Sequence, residues 1–499
     1  MKLHKLFLLL IFISGPLFTA SAQTERPNVL FIAVDDMNDW VGCLKSGHAI
    51  TPNIDRLADR GVNFTNAHTA GSYCAPSRAA ILTGQYASTT GIYKYQTYHA
   101  LYPELVPLQS SFKAAGYETF GAGKLYHHQV GSIDLRDWSE FFVRSKRQRK
   151  SGWPLDSWSS EIPKPEQGIK DKSNKGAYER GSGLRKWGAL PNDQEEEMAD
   201  AIRTKWAVSK LKEKHNKPFF LGLGIYAPHL PNYAPQKYYD LYDRNTIPMP
   251  VLKDDDYDDL PEPMRTKMKN RTRGFYKTYI ESGLMNESVH SYLASISFAD
   301  AMIGRVLDAL EASPYADNTI VVLWSDNGFH YGEKGHYGKK QLWQRTSNIP
   351  FVWAGPGVAK GQSPDVTVSL IDMYPTFVEM CDLPKPKHTL EGISLAATLK
   401  KPKRAKDRNV YLPFIEPNAY AIINKQWRYI KYANDTEELY SVEEDHNEWF
   451  NLAEKPEYAS IKKSLRDSAP KTFAKPAPNH IVKRDLVIKG ESYHWKTKK

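Results

Sequence analysis

The sequence predicts an α/β fold: a large, mostly parallel sheet sandwiched by helices, followed by a smaller C-terminal α+β subdomain. Short runs such as Asn28-Val-Leu-Phe-Ile-Ala-Val34 are apolar and β-rich without alternation, as strands buried on both faces are. They alternate with helix-like stretches, the rhythm of crossover connections between parallel strands. Beyond the basic, proline-containing stretch Lys400–Arg408, strand-like pieces instead follow one another closely.

Taken in order, the strand Asn28–Val34 ends abruptly in Asp35-Asp36. A helix begins at Asn53 after Thr51-Pro52, and Gly116–Phe120 reads as a short strand. Lys205–Lys214 is helical and leads into the strand Pro218–Gly224. Asn286–Ala312 is long and amphipathic, and Thr319–Trp324 is another fully apolar strand. Pro350–Trp353 and the helix Leu370–Met380 close the pattern.

Two regions break the rhythm: residues 132–200, rich in Trp, Lys, Ser, Pro and Gly, and the polar residues 231–285. They are expected as long insertions, a common place for substrate-binding loops. Val410–Ile415, Ala419–Ile423 and Trp427–Tyr432 supply the C-terminal strands, and about 465–499 is basic and weakly patterned. The expected division is a signal peptide over 1–22, a main α/β unit over 23–389 and a subdomain with its tail over 390–499.

The signal peptide is read from Lys2 and Lys5 before the apolar run Leu6–Ile13, and from the small-x-small site Ala20-Ser21-Ala22. That run is too short to span a bilayer, so export to the periplasm or medium of a bacterium is expected, with no membrane insertion after cleavage. Of the 499 residues, 41% are hydrophobic and 25% charged, with a formal charge of +10. This excess suits an anionic partner and is too diffuse to indicate nucleic acid. The 12% of aromatic residues is compatible with a carbohydrate-contacting surface. Three cysteines are too few for a disulfide scaffold, and Cys43 and Cys381 either pair or remain separate buried thiols.

The chemistry centres on Cys74-Ala-Pro-Ser-Arg78-Ala-Ala-Ile-Leu-Thr83-Gly84. Pro76 suits the first turn of a helix, so Cys74 is expected at or beside a helix N-terminus, where the dipole favours an anion. Arg78 follows one turn later on the same face. Asp35 and Asp36 stand at the carboxyl end of the first strand, the edge where open α/β sheets bind ligands. Adjacent acids also serve as caps or surface charges, but Ser325-Asp326-Asn327-Gly328 places a second acid and an amide after another buried strand.

Cys-x-Pro-Ser-Arg followed by a helix and Leu-Thr-Gly resembles the signature of the formylglycine-dependent sulfatases of the alkaline-phosphatase-like superfamily. The nearest likeness is to their iduronate-2-sulfatase-like group, over Asn28 to about Leu452. The resemblance implies that Cys74 is oxidised by a formylglycine-generating enzyme or equivalent to Cα-formylglycine (3-oxoalanine), whose hydrate attacks sulfur. It also implies one Ca²⁺ held by Asp35, Asp36, residue 74 and Asp326, with Asn327 either ligand or nearby support; calcium is preferred to magnesium for an all-oxygen set.

Gly123-Lys124-Leu-Tyr-His127 resembles the family's Gly-Lys-x-x-His element, with Lys124 on a sulfate oxygen and His127 on the formylglycine. Lys339 matches the second lysine, with Lys340 the alternative by a register of one. His229, in Tyr226-Ala-Pro-His229-Leu-Pro231, matches the histidine near the leaving oxygen. Where many sulfatases have Gly-Glu-His-Gly, this chain has Gly-Glu-Lys334-Gly-His336, and His336 is expected to contact the sugar. Tyr93-Lys94-Tyr95-Gln-Thr-Tyr98-His99 is either an exposed loop or part of the sugar pocket, with Tyr98 and His99 as candidate contacts.

The implied function is hydrolysis of sulfate esters on an exported polysaccharide or its oligosaccharides, such as ulvan or a glycosaminoglycan, including 2-O-sulfated uronates. The alternatives are a phosphonate monoester or phosphodiester hydrolase on the same fold, or a silent sulfoglycan-binding protein.

Overall fold

The computed structural model describes residues 26–127, 135–142, 167–168, 186–272, 279–280, 283–478, 484–489 and 492–497. The expected signal peptide lies outside the described residues, as does much of the 132–200 insertion.

The central sheet is built from β1 (Asn28–Asp35), β2 (Gly61–Asn63), β3 (Glu118–Gly123), β4 (Glu140–Phe142), β5 (Phe219–Pro228), β6 (Thr319–Ser325) and β7 (Phe351–Ala354). Its order is β2-β7-β6-β1-β5-β3-β4. The five strands from β6 to β4 are parallel, whereas β7 and β2 complete one edge antiparallel. The expected strand at 350–353 therefore exists but runs against its neighbour.

All eight residues of β1 are buried, which explains its unbroken apolar run. Leu30, Ile32 and Val34 pack into the layer formed by α1 (Pro52–Asp59), α3 (Ala199–Lys212) and α4 (Met285–Glu311). Val29, Phe31 and Ala33 point the other way, toward α2 (Cys74–Thr83) and α5 (Met373–Met380). Each side chain so covered contributes about 1.5–3 kcal/mol of apolar burial. Strand–helix alternation is thus a consequence of a sheet that must be sealed on both faces.

The C-terminal sheet is an antiparallel meander of β8 (Val410–Pro413), β9 (Tyr420–Ile423), β10 (Trp427–Lys431) and β11 (Glu437–Ser441). One face, with Tyr411, Tyr420, Ile422, Tyr429 and Leu439, extends the core beside α2 and α5. The opposite face, with Leu412, Ala421, Ile430 and Tyr440, covers Leu342 and Trp343 together with Leu260, Met264 and Met268 of the expected second insertion. This second core anchors the segment between β6 and β7, which returns to the main sheet's carboxyl edge. The tail, expected to be weakly patterned, contains the end of a helix over Ala459–Asp467 and a hairpin of Arg484–Lys489 with Ser492–Thr497.

Candidate active site

Four adjacent parallel strands deliver their next residues to one edge of the sheet. β1 ends in Asp35 and is followed by Asp36, β6 by Asp326 and Asn327, β3 by Lys124 and β5 by His229. Close approach of β3 and β5 requires glycine, because a Cβ on Gly224 would lie 2.2 Å from the Lys124 carbonyl carbon. Cys74 enters from the side as the first residue of α2, after extended Tyr73, and is 2% exposed.

The residues converge closely. Lys339 Nζ lies 2.7 Å from Cys74 Sγ and also donates to Asp36 Oδ1. Lys124 Nζ lies 3.8 Å from the same sulfur and is paired with Asp35, while Cys74 Sγ is 3.7 Å from Asp36 Oδ1. His229 Nε2 is 3.6 Å from Asp36 Oδ2, and its Nδ1 lies against the Leu230 carbonyl. One donor atom each from Asp35, Asp36, Cys74 and His229 fall within 4.8 Å of one another.

Arg78, one turn into α2, is fully buried beside these residues. Its Nε donates to Asp326 Oδ2 at 2.7 Å, Nη1 to the Lys124 carbonyl, and Nη2 toward the Val34 carbonyl and Asp35. The guanidinium therefore ties three strand ends together from beneath. Its donors are directed to carboxylates and carbonyls because five fixed N–H groups at full burial require acceptors.

Burial and charge set the protonation states. Burial pushes Asp36 up, but Lys339 and His229 outweigh it and hold the carboxyl below its usual range. At Asp326 burial wins over Arg78, and its carboxyl is raised. Burial pushes the Cys74 thiol far up despite Lys124 and Lys339, so the thiolate is disfavoured. Burial opposes the charge on Lys339, yet Asp36 and its neighbours raise it well above an ordinary lysine.

The donor set suits a hard divalent cation. Asp36 Oδ2 and Asn327 Oδ1 are buried without a hydrogen-bond donor, an arrangement that is costly unless a cation meets them. Asn327 Nδ2 donates to Asp36 Oδ1 at 2.8 Å and so turns its oxygen the other way. Asp326 has both oxygens engaged, by Arg78 and by the Asp36 N–H at 3.1 Å.

The other candidate contact residues lie around this centre. His127 packs on the Tyr95 ring, centroids 5.1 Å apart, and both residues line a small cavity beside Ala75 and Arg78. Tyr98 is buried and its hydroxyl accepts from Gln109, while His99 packs edge-on against its ring, 5.5 Å away. Tyr98 thus lies inside the fold, where it lines the same small cavity as Tyr95 and His127. His336 is also buried, and its Nε2 faces the Lys339 carbonyl at 3.1 Å, so it supports that lysine's backbone. Lys339, not Lys340, reaches Cys74. Cys43 and Cys381 are free thiols, which settles the open pairing.

Lys334, the departure from the usual motif, is 2% exposed and adopts φ +56°. Its Nζ bonds Asp256 at 2.7 Å and the Glu448 carbonyl, and lies 4.9 Å from the Tyr440 ring centre. Arg428 pairs with Glu448 at 2.5 Å. Nearby, Glu438 accepts from Trp343, Tyr432 and Tyr440. The lysine thus fastens the loop carrying Lys339 to the C-terminal sheet.

Several supports were not singled out in the sequence. Tyr292 of α4 donates to the Asp36 carbonyl at 2.7 Å and accepts from the Asn38 N–H at 3.0 Å. It thereby holds Asp36 at φ +60°, a left-handed conformation that short polar residues tolerate best. Asp200 accepts from the Tyr226 and Ala227 N–H groups at 3.0 and 2.9 Å and pairs with Arg203. In sequence Tyr292 reads as a core aromatic, and Asp200 falls at the end of the supposed insertion, so neither position carries a signal.

Comparison with known proteins gives consistent matches. The Sulfatase family model matches residues 27–383, and that of the N-sulphoglucosamine sulphohydrolase C-terminal region matches 332–474. A "Sulfatase" of Formosa agariphila is 36% identical over 463 residues, covering 91% of this chain and 88% of the relative. The iduronate 2-sulfatase of Mus musculus is 27% identical, covering 73% and 70% respectively. A solved structure, described as a complex with its substrate D-glucosamine-2-N,6-O-disulfate, superposes with a TM-score of 0.67 at 21% identity, covering 89% of this chain and 96% of its own.

Proposed function

The chain belongs to the sulfatase family and is a sulfuric ester hydrolase; from that premise we propose that it removes sulfate from a sulfated polysaccharide or its oligosaccharides, using a formylglycine made from Cys74. Among the described residues no helix is long and apolar enough to cross a membrane. The proposed setting is the periplasm or medium, after loss of residues 1–22.

The observation that carries the reading is the environment of position 74. Three acids and two lysines surround a thiol that burial keeps protonated, and a protonated thiol is a poor nucleophile. The same surroundings suit an oxygen nucleophile, because both ammonium groups lie where charge would gather on a sulfate. Formylglycine supplies this, its hydrate presenting one hydroxyl for attack and a second for release of sulfate. The positions that would hold a divalent cation are Asp35, Asp36, Asp326, residue 74 and Asn327; the two orphaned oxygens support the fit. Calcium, as a hard cation, would neutralise sulfate charge and favour an ionised hydroxyl.

The chain's own groups divide the remaining work. Lys124 and Lys339 bind sulfate oxygens and stabilise the charge that builds there. Arg78 holds Asp326 and the Lys124 backbone in place. With Nδ1 turned to the Leu230 carbonyl, His229 presents Nε2 to the site, where it gives a proton to the departing sugar oxygen. To His127 we assign the proton taken from the formylglycine side during sulfate release.

The test is co-production with a formylglycine-generating enzyme, confirmation of the aldehyde by peptide mass, and a sulfate-release screen. Substrates are ulvan and glycosaminoglycan oligosaccharides, an aryl sulfate and a phenyl phosphonate ester. Sulfate release from an oligosaccharide is expected. Preference for the phosphonate would select the phosphonate hydrolase reading. Binding without release at full oxidation would select the silent sulfoglycan-binding reading.

A further inference from the structure

Lys340 stands one residue from the lysine that reaches Cys74 and turns a different way. Its N–H donates to the Ser72 carbonyl at 2.9 Å, which pins the segment beside the N-terminal end of α2. Its φ of +71° is the left-handed conformation, so consecutive lysines are directed apart. Lys339 points inward to Asp36 and Cys74, while Lys340 Nζ lies over the rings of Tyr73 and Tyr95, 4.8 and 5.4 Å from their centres. It also donates to the Tyr95 hydroxyl at 3.3 Å.

The difference from the other site cations is chemical. Arg78, Lys124 and Lys339 each pair with a carboxylate. Lys340 forms no ion pair with a carboxylate among the described residues and is held by two aromatic faces and the neutral Tyr95 hydroxyl. Such faces orient an ammonium without neutralising it. Tyr95 in turn packs against His127, and these two rings line the small cavity beside Ala75 and Arg78, next in the chain to residue 74. Tyr95 and Lys340 are both half-buried, which leaves the group reachable from solvent.

We propose that Lys340, framed by Tyr73 and Tyr95, binds a second anionic group on the substrate, a carboxylate or a further sulfate beside the ester that is cleaved. This rests on the sulfatase reading and narrows it to sugars carrying two negative groups. The sources share one chemistry, an oxyanion accepting a charge-assisted hydrogen bond from the ammonium.

The experiment measures binding, so that it is independent of turnover. Full-length, calcium-loaded protein carrying Cys74→Ser is titrated calorimetrically with a neutral hexose monosulfate, the matching uronic acid monosulfate and a hexose disulfate. The dianionic ligands are expected to bind about tenfold tighter than the monosulfate. Lys340→Met, close in shape but uncharged, should bring the ligands within about threefold of one another, and Lys340→Arg should retain the preference. A preference for the uronate alone identifies the carboxylate as the partner, and for the disulfate alone the second sulfate. Equal affinities with Lys340 present, or an undiminished preference in Lys340→Met, would overturn the proposal. Sulfate release by the matured parent protein is read separately. Release without a binding preference removes the subsite and leaves the reaction, whereas preference without release does the reverse.

Discussion

The molecule contains two clusters of buried charge, and they are built differently. Around Cys74, carboxylates and cations converge on a thiol while Asp36 Oδ2 and Asn327 Oδ1 receive no hydrogen bond. Beneath the C-terminal sheet, Lys334 is matched to Asp256 and the Glu448 carbonyl, and Glu438 collects three donors. Burial and charge are common to both. What separates them is the pairing: in the first cluster the ammonium groups are matched to Asp35 and Asp36 but two side-chain oxygens meet no donor, whereas in the second Lys334 and Glu438 are spent on the fold. Buried charge by itself is therefore a poor marker of function, and the more telling sign is the unpaired oxygens of Asp36 and Asn327 beside converging acids at one sheet edge.

The contrast can be broken by experiment, beginning with the largest effect. Cys74→Ala should lower sulfate release by at least about 10³-fold while leaving the unfolding temperature within a few degrees, measured by ion chromatography and calorimetry. Lys334→Met should do the opposite. Leaving Asp256 buried without its cation should cost about 3–5 kcal/mol of stability, read from denaturant unfolding, with kcat per folded molecule little changed. A large stability loss in the first variant, or none in the second, would remove the distinction between the clusters.

Two smaller effects sharpen it. Lys339→Met should reduce kcat by about 10²–10³-fold in steady-state assays, because it removes a charge directed at sulfate. Tyr292→Phe should reduce kcat by about tenfold and stability by about 1–3 kcal/mol, since the Asn38 N–H and the Asp36 carbonyl lose their partner. Its rate loss should appear in kcat more than in KM, the mark of a site loosened rather than emptied.

The legible parts of this protein are those dictated by local pattern. The run Asn28–Val34 could only be a strand sealed on both sides, and its end fixed where Asp35 and Asp36 would stand. The same holds for Thr319–Trp324 and Asp326. Parallel neighbours then bring such ends to one edge, so the acidic core of the site was within reach of the sequence. The antiparallel edge at β7 was not, since strand direction depends on partners far along the chain. Nor were the destinations of Arg78, His336 and Lys334. A motif gives residue type and spacing, but which acceptor a long side chain finds is decided by tertiary packing. Tyr98 illustrates the remaining loss: its segment mixes aromatic and basic residues, and only the fold assigns Tyr98 to the interior and Tyr95 to the margin.

The placement of residue 74 has a consequence for timing. It opens a helix whose ten residues are all enclosed, and its sulfur sits beneath two ammonium groups. A second enzyme that had to grip and oxidise this side chain would find no purchase on the finished molecule. On the proposed reading, the oxidation belongs to the interval between synthesis and collapse. A chain that folds too quickly would be sound in shape and permanently inert.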